Sequence, residues 1–436
     1  MNRLIYADLL KWKTSKSRKP LLLYGARQVG KTWLLEEFGK KEFETSFYIN
    51  FDTDHTVHSA FKEDISPKIV IRNLENYFNR KIDPANTLLI FDEIQECQRA
   101  KDSLKYFNEN APQYFVAAAG SFLGIASGKF PVGQVNELTL YPLSFSEFLE
   151  ATGNDMLAGT LREKSVLENL PLITASHDLL TGKLKDYFFT GGMPEAVKTF
   201  SETGSFAEVL GIQETILNNY KNDFLKHISA ANIPKVNMLW DSIPVHLARE
   251  KKKFVYKDVK IGGRALEFEN AMNWLTNTGL VYRVDRITDP KLPLSRSVER
   301  EFFKLYMLDT GLLTAKAKAG ISGLVSGSNS IFSEFKGALT EQFVLQELKA
   351  AGGMPVFYWG NASGKAEVDF LIQYKNEVIP IEVKSSFNTK SQSLSVYTEK
   401  YNPKYAVRAS LKNFGKSEGL ISVPLYMIGM LKELIG

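Results

Sequence analysis

The chain has 436 residues, 44% hydrophobic and 24% charged, with a formal net charge of +5 and a single cysteine. That length exceeds one hydrophobic core, so roughly two to four domains are expected, and the composition is that of an ordinary globular chain. Cys97 alone excludes an intrachain disulfide and a multi-cysteine zinc site, and suits a reducing cytoplasm. Residues 1–20 lack the apolar core of a secretory signal, and no apolar run of about 18 residues predicts a spanning helix. A cytoplasmic protein with no membrane partner is expected. The small positive charge permits DNA contact without requiring it.

Residues 3–13 place Leu4, Ile5, Leu9, Leu10 and Trp12 at helical spacing. The apolar run Leu21-Leu22-Leu23-Tyr24 then predicts a buried strand. It runs into Gly25-Ala26-Arg27-Gln28-Val29-Gly30-Lys31-Thr32, and Trp33, Leu34, Leu35 and Phe38 continue as a helix. Strand, G-x-x-x-x-G-K-T and helix, in that order, form a phosphate-binding loop. Glycines let successive N–H groups face phosphate oxygens, and the helix N-terminus adds partial positive charge. Lys31 is expected on the β- and γ-phosphates of ATP and Thr32 on Mg²⁺.

Phe47 to Asp52 predicts a second strand, Ile69 to Tyr77 a helix, and Thr87-Leu88-Leu89-Ile90-Phe91-Asp92-Glu93 a buried strand closed by two carboxylates. Downstream of a phosphate-binding loop this is a Walker B pattern. Asp92 is expected to hold the Mg²⁺ shell and Glu93 to polarise the attacking water. Tyr114 to Ala119 predicts another strand, followed by Gly120-Ser121, where Ser121 is a candidate sensor of the γ-phosphate. No Asn-Lys-x-Asp stretch is present, which disfavours a GTPase, and the acidic pair favours hydrolysis over small-molecule phosphoryl transfer.

These motifs, with Phe91-Asp92-Glu93-Ile94-Gln95, Pro142-Leu143-Ser144-Phe145-Ser146-Glu147-Phe148, Gly191-Gly192-Met193-Pro194-Glu195 and Lys304-Leu305-Tyr306-Met307-Leu308-Asp309-Thr310-Gly311-Leu312, stand in one order along nearly the whole chain. In that the chain resembles the prokaryotic AAA-type ATPases that carry a C-terminal region, DUF4143. The resemblance implies an α/β fold, a P-loop parallel sheet in residues 1–145, with a helical lid in 146–230. Many relatives have Gly-Arg where this chain has Gly133-Gln134. Arg27 and Arg99 are alternative cationic helpers. AAA-type proteins often act as rings, so a homo-oligomer or a protein partner is a further expectation.

From Val166, Leu167 and Leu170 through Val209, Ile212, Ile216 and Tyr220 the spacing is helical. Residues 231–290 read as helix, short strand-like Phe254 to Val259, helix and strand Leu280 to Val284, the order of a winged helix. Arg249, Lys251, Lys252, Lys253, Lys257, Lys260 and Arg264 make it basic, compatible with DNA or a solvated face.

In residues 291–436, Phe302 to Leu308 predicts a strand, Phe335 to Leu348 a helix bearing Glu341, and Val356 to Trp359 a strand. Glu367 to Ile372 and Val378 to Lys384 predict an antiparallel pair, on which period 2 puts Glu382 and Lys384 on one face. Asp369, then Glu382-Val383-Lys384, with Glu341 on a preceding helix, resembles the PD-(D/E)xK nuclease core. The resemblance implies Asp369 and Glu382 on Mg²⁺, Glu341 completing the shell, and Lys384 orienting water or offsetting phosphoryl charge. Val368 replaces the usual proline, and Ser385, Ser386 and Gln392 are polar residues near phosphate or in a plain loop. The overall expectation is an ATP-hydrolysing protein coupling nucleotide state to a nuclease-like, DNA-contacting module. The alternative is an ATP-dependent switch or scaffold whose nuclease-like domain holds protein or nucleic acid without cutting.

Overall fold

The structure is a computed structural model and describes residues 1–121, 133–163, 168, 171–249, 252–317, 330–352, 354–361, 363–385, 392–417 and 419–436. Val166, Leu167, Leu170, Lys251 and Ser386 lie outside the described residues. Two units emerge from the packing: Asn2–Tyr141, and a second holding Pro142–Thr276 and Leu280–Gly436.

The first unit is built on five parallel strands, β1 (Leu21–Gly25), β2 (Thr45–Asn50), β3 (Thr87–Asp92), β4 (Phe115–Ser121) and β5 (Asn136–Thr139), in the order β2-β3-β4-β1-β5. Every residue of β1 and β3 is buried, as continuous apolar runs require when helices cover both faces. Helices α1 (Tyr6–Thr14), α2 (Lys31–Glu42), α3 (Pro67–Phe78) and α4 (Gln98–Asn110) connect or flank them. One side of the sheet packs Phe51, Phe61, Phe91 and Phe107 edge to face, geometry that suits the ring quadrupoles. Register matters most at one end. Gly25 lies opposite Ser121, and Asn50 opposite Asp92, so the C-terminal ends of the central strands deliver their polar residues to one edge.

The second unit carries an eight-stranded mixed sheet, β12-β13-β11-β10-β9-β8-β6-β7. Its strands are β6 (Val281–Ile287), β7 (Val298–Met307), β8 (Val356–Gly360), β9 (Glu367–Tyr374), β10 (Glu377–Val383), β11 (Ala406–Ser410), β12 (Gly415–Ser417) and β13 (Leu420–Pro424). Tyr374 pairs with Glu377 across the β9–β10 turn, where Lys375 adopts φ 53°. Phe254 to Val259 differs from its strand-like reading. Its backbone bond to the sheet is at Phe254, whose N–H bonds the Phe303 carbonyl at 2.8 Å, and Tyr256–Val259 winds into a helical turn. The β6–β7 pair is not separate from the C-terminal strands but forms one edge of their sheet.

A buried polar junction joins the helices of this unit to that sheet. The helix Thr174–Thr190 stops at Gly191, φ 67°. Asp309, fully buried, accepts from Gly192 N at 2.6 Å, from Leu312 N at 3.0 Å and from Gln346 Nε2 at 3.1 Å. Gln346, on the helix Ser330–Ala350, also donates to the Tyr187 hydroxyl at 2.8 Å and accepts from Thr310 N at 2.8 Å. Tyr187 in turn donates to the Leu143 carbonyl, and Leu143 N bonds the Gly192 carbonyl at 2.7 Å. Neither glycine has room for a side chain. A Cβ on Gly191 would stand 2.1 Å from Asp309 Oδ1, and one on Gly192 2.2 Å from the Leu143 carbonyl oxygen. Gly192→Ala is therefore expected to destabilise the second unit by about 3 kcal/mol, read as a lowered thermal unfolding midpoint, whereas Gly204→Ala, in open space but at φ 64°, costs about 1 kcal/mol.

Candidate functional site: a phosphate-binding edge and a lysine-lined acidic core

The edge of the five-stranded sheet assembles from its strand ends. Gly25 closes β1, and a Cβ there would lie 2.4 Å from the Leu140 carbonyl oxygen, so the loop can turn only as glycine. Gln28 at φ 66° and Gly30 at φ 94° complete the turn into α2, with backbone N–H groups opening the helix. The buried Lys31 folds back over the loop, donating to the carbonyls of Gly25 at 3.0 Å and Ala26 at 2.8 Å. Burial pushes its ammonium down to about 8, opposed by Glu93 and Asp92 and reinforced by Arg27. Thr32 Oγ1 donates to Asp92 Oδ2 at 2.6 Å. Asp92 is buried, and its other oxygen accepts from Glu93 N at 3.0 Å.

Glu93 follows in the left-handed region, φ 49°, a costly conformation for a non-glycine residue that turns the chain sharply after the strand. Its Oε2 accepts from Gln95 Nε2. Ser121, at the end of β4 and opposite Gly25, is buried, and among the described residues its Oγ has no hydrogen-bond partner, nor has Gln95 Oε1. Buried polar atoms of this kind are rare and often mark a site for a ligand. Val29 is fully buried and its carbonyl accepts from Arg3 Nη1 at 3.0 Å, while Arg3 Nη2 donates to the Tyr141 carbonyl at 2.6 Å.

The first-unit candidates Gly25, Ala26, Arg27, Gln28, Val29, Gly30, Lys31, Thr32, Asp92, Glu93 and Ser121 thus meet at one sheet edge. Three supporting residues escaped the sequence reading. Tyr48 donates to Asp92 Oδ2 at 2.9 Å, Asn50 Nδ2 donates to the Tyr48 hydroxyl at 3.1 Å, and Gln95 holds Glu93. The polar end of β2 was the only signal for Tyr48 and Asn50, and Gln95 stood in the Phe91 to Gln95 motif without an assigned role. Arg99 is not a helper at this edge: its guanidinium is spent on the carbonyls of Phe61, at 2.6 Å, and Glu63. Gln134 accepts from Asn108 Nδ2, a bond that holds β5's approach to α4.

The residues fit a magnesium nucleotide. The Gly25 cradle, the orphan Ser121 hydroxyl and the Thr32–Asp92 pair are the parts such a ligand uses, and Mg²⁺ bound with phosphates needs few protein ligands because water and phosphate oxygens complete its shell.

The second cluster lies where β7, β9, β10 and the Ser330–Ala350 helix face one another. Glu341 accepts from Lys252 Nζ and from the Tyr306 hydroxyl at 3.1 Å. Glu367 lies 2.5 Å from Lys304 Nζ, which is also 3.9 Å from Glu341. Glu382 is 2.8 Å from Lys384, and Asp369 Oδ2 accepts from Val383 N at 2.8 Å. Burial, Glu341 and Glu382 push the Asp369 carboxyl well above the usual carboxylate range. Burial opposes the Lys304 charge, but Tyr306, Glu367, Glu341 and Asp369 outweigh it and hold the ammonium well above the usual lysine range. Asp369, Glu382, Lys384 and Glu341 are thus brought together as the spacing anticipated. Among the described residues, however, no group of three or more His, Cys, Asp or Glu side chains is placed to hold a metal ion. The carboxylates expected around Mg²⁺ are paired with lysines, and as arranged they do not fit a divalent ion.

The family comparisons divide the chain in three. Residues 17–149 match an AAA domain, residues 181–322 a domain of unknown function, DUF8612, and residues 336–428 another, DUF4143. The AAA match covers most of the first unit. The middle match takes in Gly191, Gly192 and Asp309 of the polar junction and the β6–β7 edge, while Leu143 and Gln346 lie outside it. A comparison with curated proteins finds no match. Solved structures with similarity include the Walker-type ATPase of Pyrococcus abyssi, 15% identical, TM-score 0.43, covering 72% of this chain and 95% of that one. A signal-transduction ATPase with numerous domains and a tetratricopeptide repeat sensor, from Pyrococcus horikoshii, is 11% identical, TM-score 0.29, over 80% and 48% of the two chains. AMPPCP-bound DnaA from Aquifex aeolicus is 14% identical, TM-score 0.28, over 62% and 75%. Among the described residues no helix is long and apolar enough to cross a membrane.

Two outcomes follow from this geometry. Ser121→Ala removes a hydroxyl with no partner among the described residues, so thermal stability should stay unchanged or rise slightly, while ATP turnover should fall about tenfold if the hydroxyl meets the γ-phosphate. Lys31 gives a pH dependence. Its folded value lies below that of free lysine, so the unfolded chain binds this proton more tightly. The ligand-free protein therefore gains stability from this group as pH rises above about 8. Nucleotide needs the charged form, so affinity should fall above pH 8, approaching about tenfold per pH unit. Lys31→Arg should bind more weakly with a flat profile, measured by fluorescent-nucleotide titration.

Proposed function

We propose that the chain binds ATP with Mg²⁺ at the edge of the five-stranded sheet, hydrolyses it, and passes the nucleotide state to the second unit. The observation that carries this is the Thr32–Asp92 hydrogen bond, with Lys31 folded over the loop and Glu93 set beside it. Gly25 to Thr32 would cradle the phosphates, with Lys31 leaving the Gly25 and Ala26 carbonyls for the β- and γ-oxygens. Thr32 and Asp92 would hold Mg²⁺, which supplies charge compensation to the triphosphate. Glu93 would orient and deprotonate the attacking water, and Gln95 positions its carboxylate. Ser121 would contact the γ-phosphate.

Chain continuity supports the coupling. Leu140 N bonds the Tyr24 carbonyl at 2.7 Å, beside the loop's first glycine, and Leu143, three residues on, is bonded to Gly192 in the polar junction. A shift at the loop therefore pulls on a segment already anchored in the second unit.

In this reading residues 1–145 are the motor core, 146–230 a helical lid, 231–290 a winged-helix-like segment and 291–436 a PD-(D/E)xK-like module. The helix order Ile233–Ala248, Tyr256–Val259, Ala265–Asn277 followed by β6 supports the third assignment. The β9–β10 hairpin with Asp369, Glu382 and Lys384, backed by Glu341, supports the fourth. DNA contact by the basic segment would fall to Lys257 and Arg264, because Arg249, Lys252 and Lys260 are engaged with Asp258, Glu341 and Glu267.

Lys31→Ala should lose nucleotide binding by about a hundredfold or more, since removing the phosphate's buried cation costs about 3 kcal/mol. Glu93→Gln should bind ATP at near wild-type affinity and hydrolyse it at least about a hundredfold more slowly. Hydrolysis by Glu93→Gln at the wild-type rate would remove Glu93 from the mechanism.

A further inference from the structure

The acidic core of the second unit is supplied with its own cations. Lys304 is the most telling. It sits in the middle of the apolar run of β7, its side chain is 1% exposed, and its ammonium lies 2.5 Å from Glu367 and 3.9 Å from Glu341. The Tyr358 ring closes over it, with its centroid 4.9 Å from Nζ. Lys252, in the segment before the Tyr256–Val259 turn, reaches across to Glu341, and Lys384 reaches Glu382. Each of three carboxylates therefore has a lysine, and the fourth, Asp369, is satisfied by Val383 N.

An isolated buried carboxylate costs far more than a paired one, so a core of this kind needs countercharge. A divalent ion is one source; lysine ammoniums are another, and here each of Glu341, Glu367 and Glu382 has one against a carboxylate oxygen. We propose that Lys304, with Lys252 and Lys384, is the permanent countercharge of this core in place of a divalent metal ion, so that no hydrolytic water is activated there. The C-terminal module is then not a metal-dependent nuclease. This inference is independent of the ATP reading, because it concerns residues of the second unit alone and is tested without nucleotide.

The full chain is melted with and without Mn²⁺, nucleotide-free, as wild type, Asp369→Asn, Lys304→Met and Lys252→Ala. The wild-type midpoint should not move with Mn²⁺. In Lys304→Met, or in Lys252→Ala where the more buried substitution fails to fold, the uncompensated carboxylates should recruit the ion and Mn²⁺ should raise the midpoint by several degrees. A Mn²⁺-dependent rise in wild type that Asp369→Asn abolishes overturns the proposal. So does a folded lysine variant with no response to Mn²⁺, and so does metal-dependent DNA cleavage by wild type that Asp369→Asn removes.

Discussion

The second unit depends on one buried carboxylate. Asp309 accepts from Gly192, Leu312 and Gln346, and in doing so ties the end of one helix, the start of another and the face of a third to the strand that precedes it. Burial pushes its carboxyl above the ordinary range, and the N–H groups of Gly192 and Leu312 and the Gln346 amide pull it back. A charge or near-charge without these donors would not remain inside. The two glycines are the complementary half of the same constraint: they bring the backbone so close that no side chain fits. The motif residues around positions 191 and 309 are therefore two sides of one contact. They carry architecture, not chemistry.

The two charged sites of the molecule are built on opposite principles. At the edge of the first unit, groups are left wanting: among the described residues Ser121 Oγ and Gln95 Oε1 have no hydrogen-bond partner, and Lys31 is held by carbonyls that compete poorly with phosphate. In the acidic core of the second unit Glu341, Glu367 and Glu382 each face a lysine, and Asp369 accepts from Val383 N. The first arrangement is poised for a ligand, and the second is complete without one.

Much of this was legible along the chain, because it is local. Leu21 to Thr32 and Thr87 to Glu93 are strand, turn and cap in contiguous residues, and hydrophobic continuity identifies them. What escaped is what depends on distance. Tyr48 and Asn50 reach Asp92 only because β2 and β3 are neighbours in register. Phe254 to Val259 alternates like a strand, yet bonds the sheet's backbone at Phe254 and coils from Tyr256 on. Lys304 within an apolar run was a visible anomaly, but its meaning required Glu367 and Glu341 to be folded against it. The nuclease-like spacing of Asp369, Glu382 and Lys384 was read from the hairpin; the lysines that neutralise its surroundings come from β7 and from the segment near residue 252.

The same junction has a consequence for synthesis on the ribosome. All strands of the first unit's sheet are present once residue 139 has emerged. The second unit has no such early closure. Gly192 waits 117 positions for Asp309, Tyr187 waits 159 for Gln346, and Phe145 N waits 202 for the carboxylate of Glu347. Such long loops must close before their contacts reward it, so the helices of residues 145–227 stay without their buried polar partners while more than a hundred further residues are added. A stalled or truncated chain would therefore present a finished P-loop unit beside helices whose polar interior is unsatisfied, the kind of species that chaperones and proteases act on.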